Sequence, residues 1–570
     1  MATQDRALTL ESHGVDALPL VNHFLERLRI DTLLAQHVPP TDRRQRLAPA
    51  RALGVLVRNL LLTRVPLYSQ REWARRAVPQ LLRLTPQEVG WLNDDRVGRS
   101  LDALFDADRA TLLTRVVVRA VRTFGIDLDQ LHNDSTTVTF AGDYRKATGR
   151  TLRGKRTLAI CHGHNKDHRP DLKQLLFVLT VSADGAVPIH YQACDGNTGD
   201  VETHIATWEV LRALAGRSDF LYVADCKLCS QDNLQYLDAR QGRFITVLPR
   251  SRREDGFFRD WLQHHTPSWQ DVAHRDNPRC TSGPPDLWKA MESPIPAADG
   301  YRIVWVFSSL KAEHDQQARQ ARIEKAGRAL EDFRTRLRGP RSRYKTRRAV
   351  LEAVAQIVDQ CGAQRWVDCE VHEHAQPIFR QEKRGRPGPA TRYVRGQRLR
   401  FDIDWTPNLS TIAYDVRCDG IFPLISNCRD LSLAALLEAY KYQPRLEKRH
   451  EQLKSVHAVA PVLLKNEGRV EALLFLYFIV LLVQALIERE LRRAMAARAL
   501  ASLPLYPEDR ECSAPSTRTI LQLFEGLQRH QLRRHVALVR TFPPQLNALQ
   551  RQILELLGIS PRAFAVTEQS

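Results

Sequence analysis

The longest apolar run, residues 472–483 and its extension through Gln484 to residue 487, most restricts what this chain can become. It is shorter than the roughly 20 residues a membrane span needs, and Glu488, Arg489 and Glu490 follow it directly. The run belongs to a helix predicted over 470–499 that is apolar around most of its circumference, so it has to pack inside a domain. A helix covered on all sides needs a large surround. The chain supplies one, with 570 residues of which 43% are hydrophobic, and a multi-domain globular protein is expected rather than a disordered one.

Periodicity divides the rest. Apolar residues recur at three and four over 18–28, 48–62 and 101–124, which predicts an all-α region over 1–125. Arg43, Arg44, Arg46, Arg51 and Arg58 are interleaved with that periodicity; a DNA-binding helical domain and solvated helix faces both explain them. From 126 to 250 the texture becomes β-like, with runs at 128–140, 157–161, 175–181 and 189–193. There follow a helix over 201–214 capped by Asp200, a strand at 220–224, a helix over 231–239 and a strand at 244–248. Such alternation indicates a mixed α/β domain. Residues 251–405 lose this order and read as an insertion, with a charged helix around 312–338 and a basic tract at 383–400. Order returns over 406–500 with strands at 411–416 and 421–425 and long helices over 431–455 and 470–499, and 501–570 adds shorter helices.

Lys and Arg total 84 against 65 Asp and Glu, a net charge of +19 that attracts polyanions, nucleic acid first among them. Asp5, Glu11 and Asp16 occupy the stretch where a basic leader would precede an apolar segment, so no secretory signal is expected; the predicted location is cytoplasmic, nucleoid-associated when on DNA, with no membrane partner. The cysteines are scattered and expected to be free thiols. Cys226 and Cys229 have CxxC spacing but no second pair at a finger-like distance.

Three acidic positions are candidates for carrying chemistry. Asp134 lies within the first β-like run, and Asp225 closes the strand ending Val223-Ala224-Asp225. A carboxylate at a strand end can hold a hard cation, because the sheet fixes its direction and the end leaves it open to substrate; turn capping is the plainer explanation of each taken alone. The third candidate is Glu447. Glu447, Glu451 and Lys454 follow at steps of four and three and so share a helix face, which Tyr440 and Gln443 join if Pro444 does not interrupt the helix.

These segments resemble the DDE transposases of bacterial insertion sequences, in the ribonuclease-H-like superfamily, and within them the group with a YREK signature and a large insertion before the last acid. The resemblance runs through residues 18–28, the DSTTVTF stretch from Asp134, GHNKDHRPDLKQ from Gly163, GNTGD from Gly196, Val223 to Asp225, DGIFPLISN from Asp419, and Tyr440 to Lys454. It implies that Asp134, Asp225 and Glu447 form the metal-binding catalytic triad, and that Tyr440 and Lys454 contact DNA phosphates. The signature's Arg falls on Gln443, a departure that leaves its phosphate contact open, and Arg445 would point elsewhere on a regular helix. The implied fold is α/β: a ribonuclease-H-like mixed sheet with flanking helices, interrupted by an insertion, plus an all-α N-terminal domain and C-terminal helices. The implied cofactor is Mg2+, two ions with Mn2+ as a substitute, and the implied partners are terminal inverted repeats and target DNA, with a homodimer pairing two DNA ends.

Other motifs are weighed beside this. His162, His164, Asp167 and His168 have spacing compatible with zinc, yet lie in the GHNKDHRPDLKQ loop, where shaping the site or meeting DNA is the expected role. Asn197 is expected to be a turn residue near the triad. Arg384 and Arg386, in Lys383-Arg384-Gly385-Arg386-Pro387, have the pattern of a minor-groove hook, with a flexible charged loop as the alternative. Arg341, Arg343, Lys345, Arg347 and Arg348 suit phosphate binding or a solvated helix start equally. Two other functions remain open at this point: a non-catalytic DNA-binding regulator derived from a transposase, and a structure-selective nuclease on the same fold.

Overall fold

The computed structural model describes residues 8–40, 46–275, 284–339, 342–456, 464–535 and 537–565. Asp5, Arg43, Arg44 and Arg341, named above, lie outside the described residues. The chain forms two units, one of Met1–Thr246 with Glu438–Ser570 and one of Val247–Leu437.

The centre of the first unit is a mixed sheet. Its strands are β1 (Gln130–Phe140), β2 (Lys173–Ser182), β3 (Pro188–Cys194), β4 (Leu221–Ala224) and β5 (Arg243–Val247), hydrogen-bonded in the order β3-β2-β1-β4-β5. The strand β2 is antiparallel to both its neighbours, β1 and β3, while β1 pairs with β4 and β4 with β5 in parallel. The parallel steps use helical crossovers, α1 (Thr203–Ala215) and α2 (Gln231–Asp238), as parallel neighbours must. The strand β2, between β3 and β1, is buried along nearly its whole length, because its Leu-, Phe- and Val-rich run is covered on both faces.

Glu438–Ser570 returns to this sheet with α3 (Gln443–Glu451) and α4 (Glu467–Ala497). The latter is long and apolar enough to cross a membrane, yet its apolar stretch is entirely buried within the protein. Its charged residues are paired rather than solvated: Glu471 with Arg109 at 2.9 Å, Glu467 with Arg150 at 2.6 Å, and Glu488 with Arg449 at 2.9 Å. Asn466 caps its first turn by accepting from the Arg469 N–H at 3.1 Å.

Several local expectations change. The helix predicted over 101–124 is two, Asp94–Asp106 and Arg109–Phe124, because the Asp108 carboxylate accepts from the Thr111 N–H at 3.1 Å and starts a new helix. The strand predicted at 411–416 is the helix Leu409–Cys418, started in the same way by Asn408. Residues 157–161 contribute isolated bridges at Ala159 and Cys161 rather than a strand. The single helix predicted over 431–455 is Leu433–Tyr440, α3 and the π turn Gln452–Val456; Pro444 sits in the first turn of α3, where its missing N–H costs nothing. Neither end of the chain is purely helical. Leu8–Gly14 is a strand that pairs antiparallel with Gln528–Arg534, which in turn pairs with Ala537–Phe542.

The second unit is wider than the predicted insertion, because Ile421–Ser426, expected in the catalytic domain, pairs antiparallel with Arg302–Ser308 inside it. Asp286–Glu292 and Gln270–Arg275 extend this sheet, again antiparallel. The helices Ser309–Arg338 and Arg347–Cys361 form a separate core with the base of a long hairpin, Val367–Gln381 with Tyr393–Pro407, through Leu330, Phe333, Val354, Val371, Phe401 and Ile403.

Candidate active site

Parallel pairing of β1 and β4 runs up to Asn133 opposite Ala224, so the next residue on each strand, Asp134 and Asp225, lies at the same level of the sheet. Side chains alternate along β1, which puts His132 and Asp134 on one face. The helix α3 lies over that face. Gln443 Oε1 accepts from His132 Nδ1 at 2.9 Å and Gln443 Nε2 donates to the Asn133 carbonyl at 3.2 Å, while the Tyr442 ring lies 5.0 Å from the His132 ring. From this anchor, Glu447 is one helical turn further on and exposed, and His450 comes within 3.6 Å of Asp134 Oδ2.

The electrostatics bring the acids together. Burial pushes Asp134 up to about 7, against the pull of Lys166, with Asp225 and Glu447 both adding to the rise. Asp225 is raised by burial and by Asp200, and held back by the Lys227 N–H and by Lys166. The Tyr440 hydroxyl is held above its ordinary range by burial and by the charges of Asp225, Glu447 and Asp134. A like charge near a partly desolvated carboxyl raises its proton affinity, so the rise of Asp134 reflects the approach of Asp225 and Glu447 from two other chain segments.

Lys166, Asp200 and His450 belong to this pocket, and the sequence analysis gave none of them a role in it. Lys166 Nζ donates to the Ser135 carbonyl at 2.6 Å and to Ser135 Oγ at 2.7 Å, pairs with Asp200 at 3.0 Å and lies 3.8 Å from Asp134. Asp200, expected to cap a helix by its side chain, instead turns its carboxylate to Lys166, and α1 starts after a 3₁₀ turn at Asp200–Glu202. His450 is buried with neither ring nitrogen in a hydrogen bond, and burial together with Lys166 and Lys454 lowers it to about 3, so it is neutral. The available signal was the pairing of GHNKDHRPDLKQ with GNTGD. In the first loop Asn165 Nδ2 donates to Gln174 Oε1 at 2.9 Å, and Asn165 Oδ1 accepts from the Asp167 N–H at 2.8 Å. The two glycines let the loops touch: a Cβ on Gly163 would stand 2.1 Å from the Gly196 carbonyl oxygen, and one on Gly196 would stand 2.1 Å from the Gln174 carbonyl oxygen. This contact is what sets Lys166 beside Asp200.

The remaining expected residues divide. Lys454, on the π turn, pairs with Asp167 at 2.6 Å and so reaches the same loop as Lys166. Gln443 is buried and tied to β1, which makes it a strut under α3 and not a surface that reaches DNA; this corrects the phosphate contact considered for it. Arg445 lies over the Tyr442 ring at 4.9 Å. Arg384 and Arg386 are exposed in the turn of the second unit's hairpin. Asn197 lies in a turn closed by the Thr198 N–H donating to the Asp195 carbonyl at 3.0 Å. Neither Cys226 nor Cys229 is in a disulfide.

Burial lifts Asp134 to about 7, with Asp225 and Glu447 adding to the rise, and a divalent cation among these hard oxygens would offset that cost. Among the described residues no three His, Cys, Asp or Glu side chains stand close enough to share an ion as they are placed, and Lys166 supplies the positive charge instead. A metal held here would require carboxylate rotation and release of Lys166.

A family model described as a domain of unknown function, DUF4277, matches residues 10–118. No curated protein matches the chain. Among solved structures, the cryo-EM structure of a piggyBac transposase synaptic complex with hairpin DNA is similar at 10% identity and a TM-score of 0.38, over 89% of this chain and 79% of that one.

Proposed function

We propose that the chain is a DNA transposase of the DDE type, with Asp134, Asp225 and Glu447 as its catalytic carboxylates on a ribonuclease-H-like domain. The observation that carries this reading is geometric: the strand register sets Asp134 and Asp225 at one level of neighbouring parallel strands, and the helix that bears Glu447 is pinned over the same face through Gln443. The mixed order of the sheet, three antiparallel strands followed by two parallel ones, supports the same reading.

Asp134, Asp225 and Glu447 would hold two Mg2+ ions, or Mn2+ in their place. Such ions, when bound, activate a water or a 3′-hydroxyl on one side of a phosphodiester and stabilise the leaving oxygen on the other. The protein's own groups prepare this. Asp134 gives up a proton near neutrality, and Lys166 neutralises the acids until a cation displaces it. Gln443 fixes α3 against β1 and so sets where Glu447 stands. Tyr440 and Lys454 flank the carboxylates and are suited to bind and orient phosphates, and the net charge of +19 draws the DNA in. The reaction needs no covalent protein intermediate. Its DNA partners are the element's terminal inverted repeats and a target, held by a homodimer.

Incubation of the purified protein with end-containing DNA and Mg2+ tests the reading. Cutting followed by strand transfer is expected; cutting without joining would identify a nuclease, and binding without cutting a regulator. Nicking that survives in Asp134→Asn, Asp225→Asn or Glu447→Gln removes that residue from the triad.

A further inference from the structure

The hairpin of the second unit is built in two halves. Its base is buried through Val367, Val371, Phe401 and Ile403, but from Glu373 opposite Phe401 outward it leaves that core. From the Val371–Ile403 pair to the Gln381–Tyr393 pair the ribbon runs ten residues, about 30 Å at the usual strand rise. Over 380–398 it carries Arg380, Lys383, Arg384, Arg386, Arg392, Arg395 and Arg398 against one acid, Glu382. Among the described residues none of these seven cations is in an ion pair.

The register gives the ribbon two different faces. The side that is core at the base continues outward with Leu399, Phe379 and Tyr393, all exposed. Arg395 stands among them opposite Phe379, and the other side carries Arg380, Arg398 and Arg400 beside Ile378 and Val394. A two-stranded ribbon with solvent on both faces is marginal in water, and exposed aromatic and aliphatic side chains on it need a covering partner. A second copy of the same ribbon would bring the same excess of positive charge, so the partner is a polyanion. The turn holds Arg384, Gly385, Arg386 and Pro387, steadied by the Gly388 N–H donating to Thr391 Oγ1 at 2.8 Å. Two arginines spaced by glycine on a narrow projection fit a minor groove about 6 Å wide, whose potential is most negative where A·T pairs narrow it.

We propose that the ribbon 374–400 is an arm for duplex DNA: Arg384 and Arg386 enter the minor groove at A·T-rich sequence, Arg380 and Arg398 bind the flanking phosphates, and Phe379 and Tyr393 pack against the groove wall. This rests on the reading of the chain as a DNA-binding protein, but not on its catalytic residues.

The test is fluorescence anisotropy of the full-length protein, without divalent metal, on 30-base-pair duplexes that are A·T-rich or all G·C, over a range of salt. Arg384→Ala/Arg386→Ala is expected to weaken binding to the A·T-rich duplex about tenfold or more and to erase the preference for it. Arg380→Ala/Arg398→Ala is expected to weaken both duplexes alike and to lower the slope of log K against log salt by about two. Circular-dichroism melting of each variant confirms that the exposed substitutions leave the fold intact. Unchanged affinity, or an equal loss on both duplexes for Arg384→Ala/Arg386→Ala, overturns the arm. Mg2+-dependent cleavage on the same DNA separates the two readings: cleavage with no effect of the arm substitutions removes the arm and keeps the transposase, while weakened duplex binding in a protein that never cleaves does the reverse.

Discussion

The acid pocket of the first unit and the ribbon of the second both concentrate charge of one sign, and they treat it in opposite ways. In the pocket the charges are partly withdrawn from water, so each alters its neighbours' protonation, and Lys166 is drawn in as a counter-charge. On the ribbon the cations stand in solvent at the end of a projection and wait for a counter-charge from outside. Burial makes a charge responsive to pH and to small ions; exposure makes it responsive to salt and to large polyanions. The comparison therefore says which substitutions should change chemistry, which stability, and which only affinity.

The largest expected effect is on catalysis. Asp134→Asn, Asp225→Asn and Glu447→Gln should each reduce Mg2+-dependent DNA cleavage by more than about a hundredfold, measured in single turnover on end-containing DNA. A residual rate within tenfold of the parent in any of them would separate that residue from the pocket's chemistry. Next is the support beneath the pocket. Glu488 accepts from the Thr517 N–H at 3.0 Å and pairs with Arg449, itself held by the Ala186 carbonyl at 3.0 Å, and both members of the pair are 4% exposed. Glu488→Ala leaves Arg449 buried and unpaired, and urea denaturation should record a loss of about 3–5 kcal/mol.

The third effect is one of pH. Asp134 in the folded chain binds its proton up to about 7, well above its ordinary value of 3.8, because burial disfavours the charged form. The stability it contributes is fully present below that ordinary value and is lost as pH rises through about 7. Asp134→Asn does not titrate, so its stability relative to the parent should grow between pH 4 and pH 7 and then level off, by an amount on the order of 3 kcal/mol. Added Mg2+ should raise the parent's melting temperature at pH 8 more than at pH 5, where the proton competes for the same oxygens. A flat difference across that range would show that Asp134 is more solvated than its position implies. The smallest effect belongs to the ribbon: Arg384→Ala and Arg386→Ala should shift the unfolding free energy by less than about 0.5 kcal/mol, since neither side chain touches a core.

The sequence was most legible where one physical signal acted alone. The β-like runs that became β1 to β5 and the all-apolar helix α4 were readable from side-chain period and apolar length, which tertiary packing reinforced. Breaks were harder. Asp108 and Asn408 reset the chain through one side-chain hydrogen bond each, and such a bond leaves no mark in the periodicity on either side of it. The strands Leu8–Gly14 and Gln528–Arg534 were unreadable for a different reason, since each is stabilised mainly by the other from the far end of the chain. In the site, strand ends and a helix step made the three acids candidates, and only the resemblance joined them into a triad. Lys166 was not, because its place depends on two glycines allowing distant loops to meet. Gln443, where a resemblance suggested a phosphate contact, has a buried partner on β1 that only the folded sheet creates.

That pairing of the two chain ends has a consequence for biosynthesis. Contacts such as Arg533 with Glu11 join residues 522 positions apart, so the first strand emerges from the ribosome long before its partner exists. At ordinary translation speeds the wait is roughly half a minute to two minutes, during which an unpaired edge is open to neighbouring nascent chains. A polypeptide stalled or cut before residue 528 would keep that edge permanently.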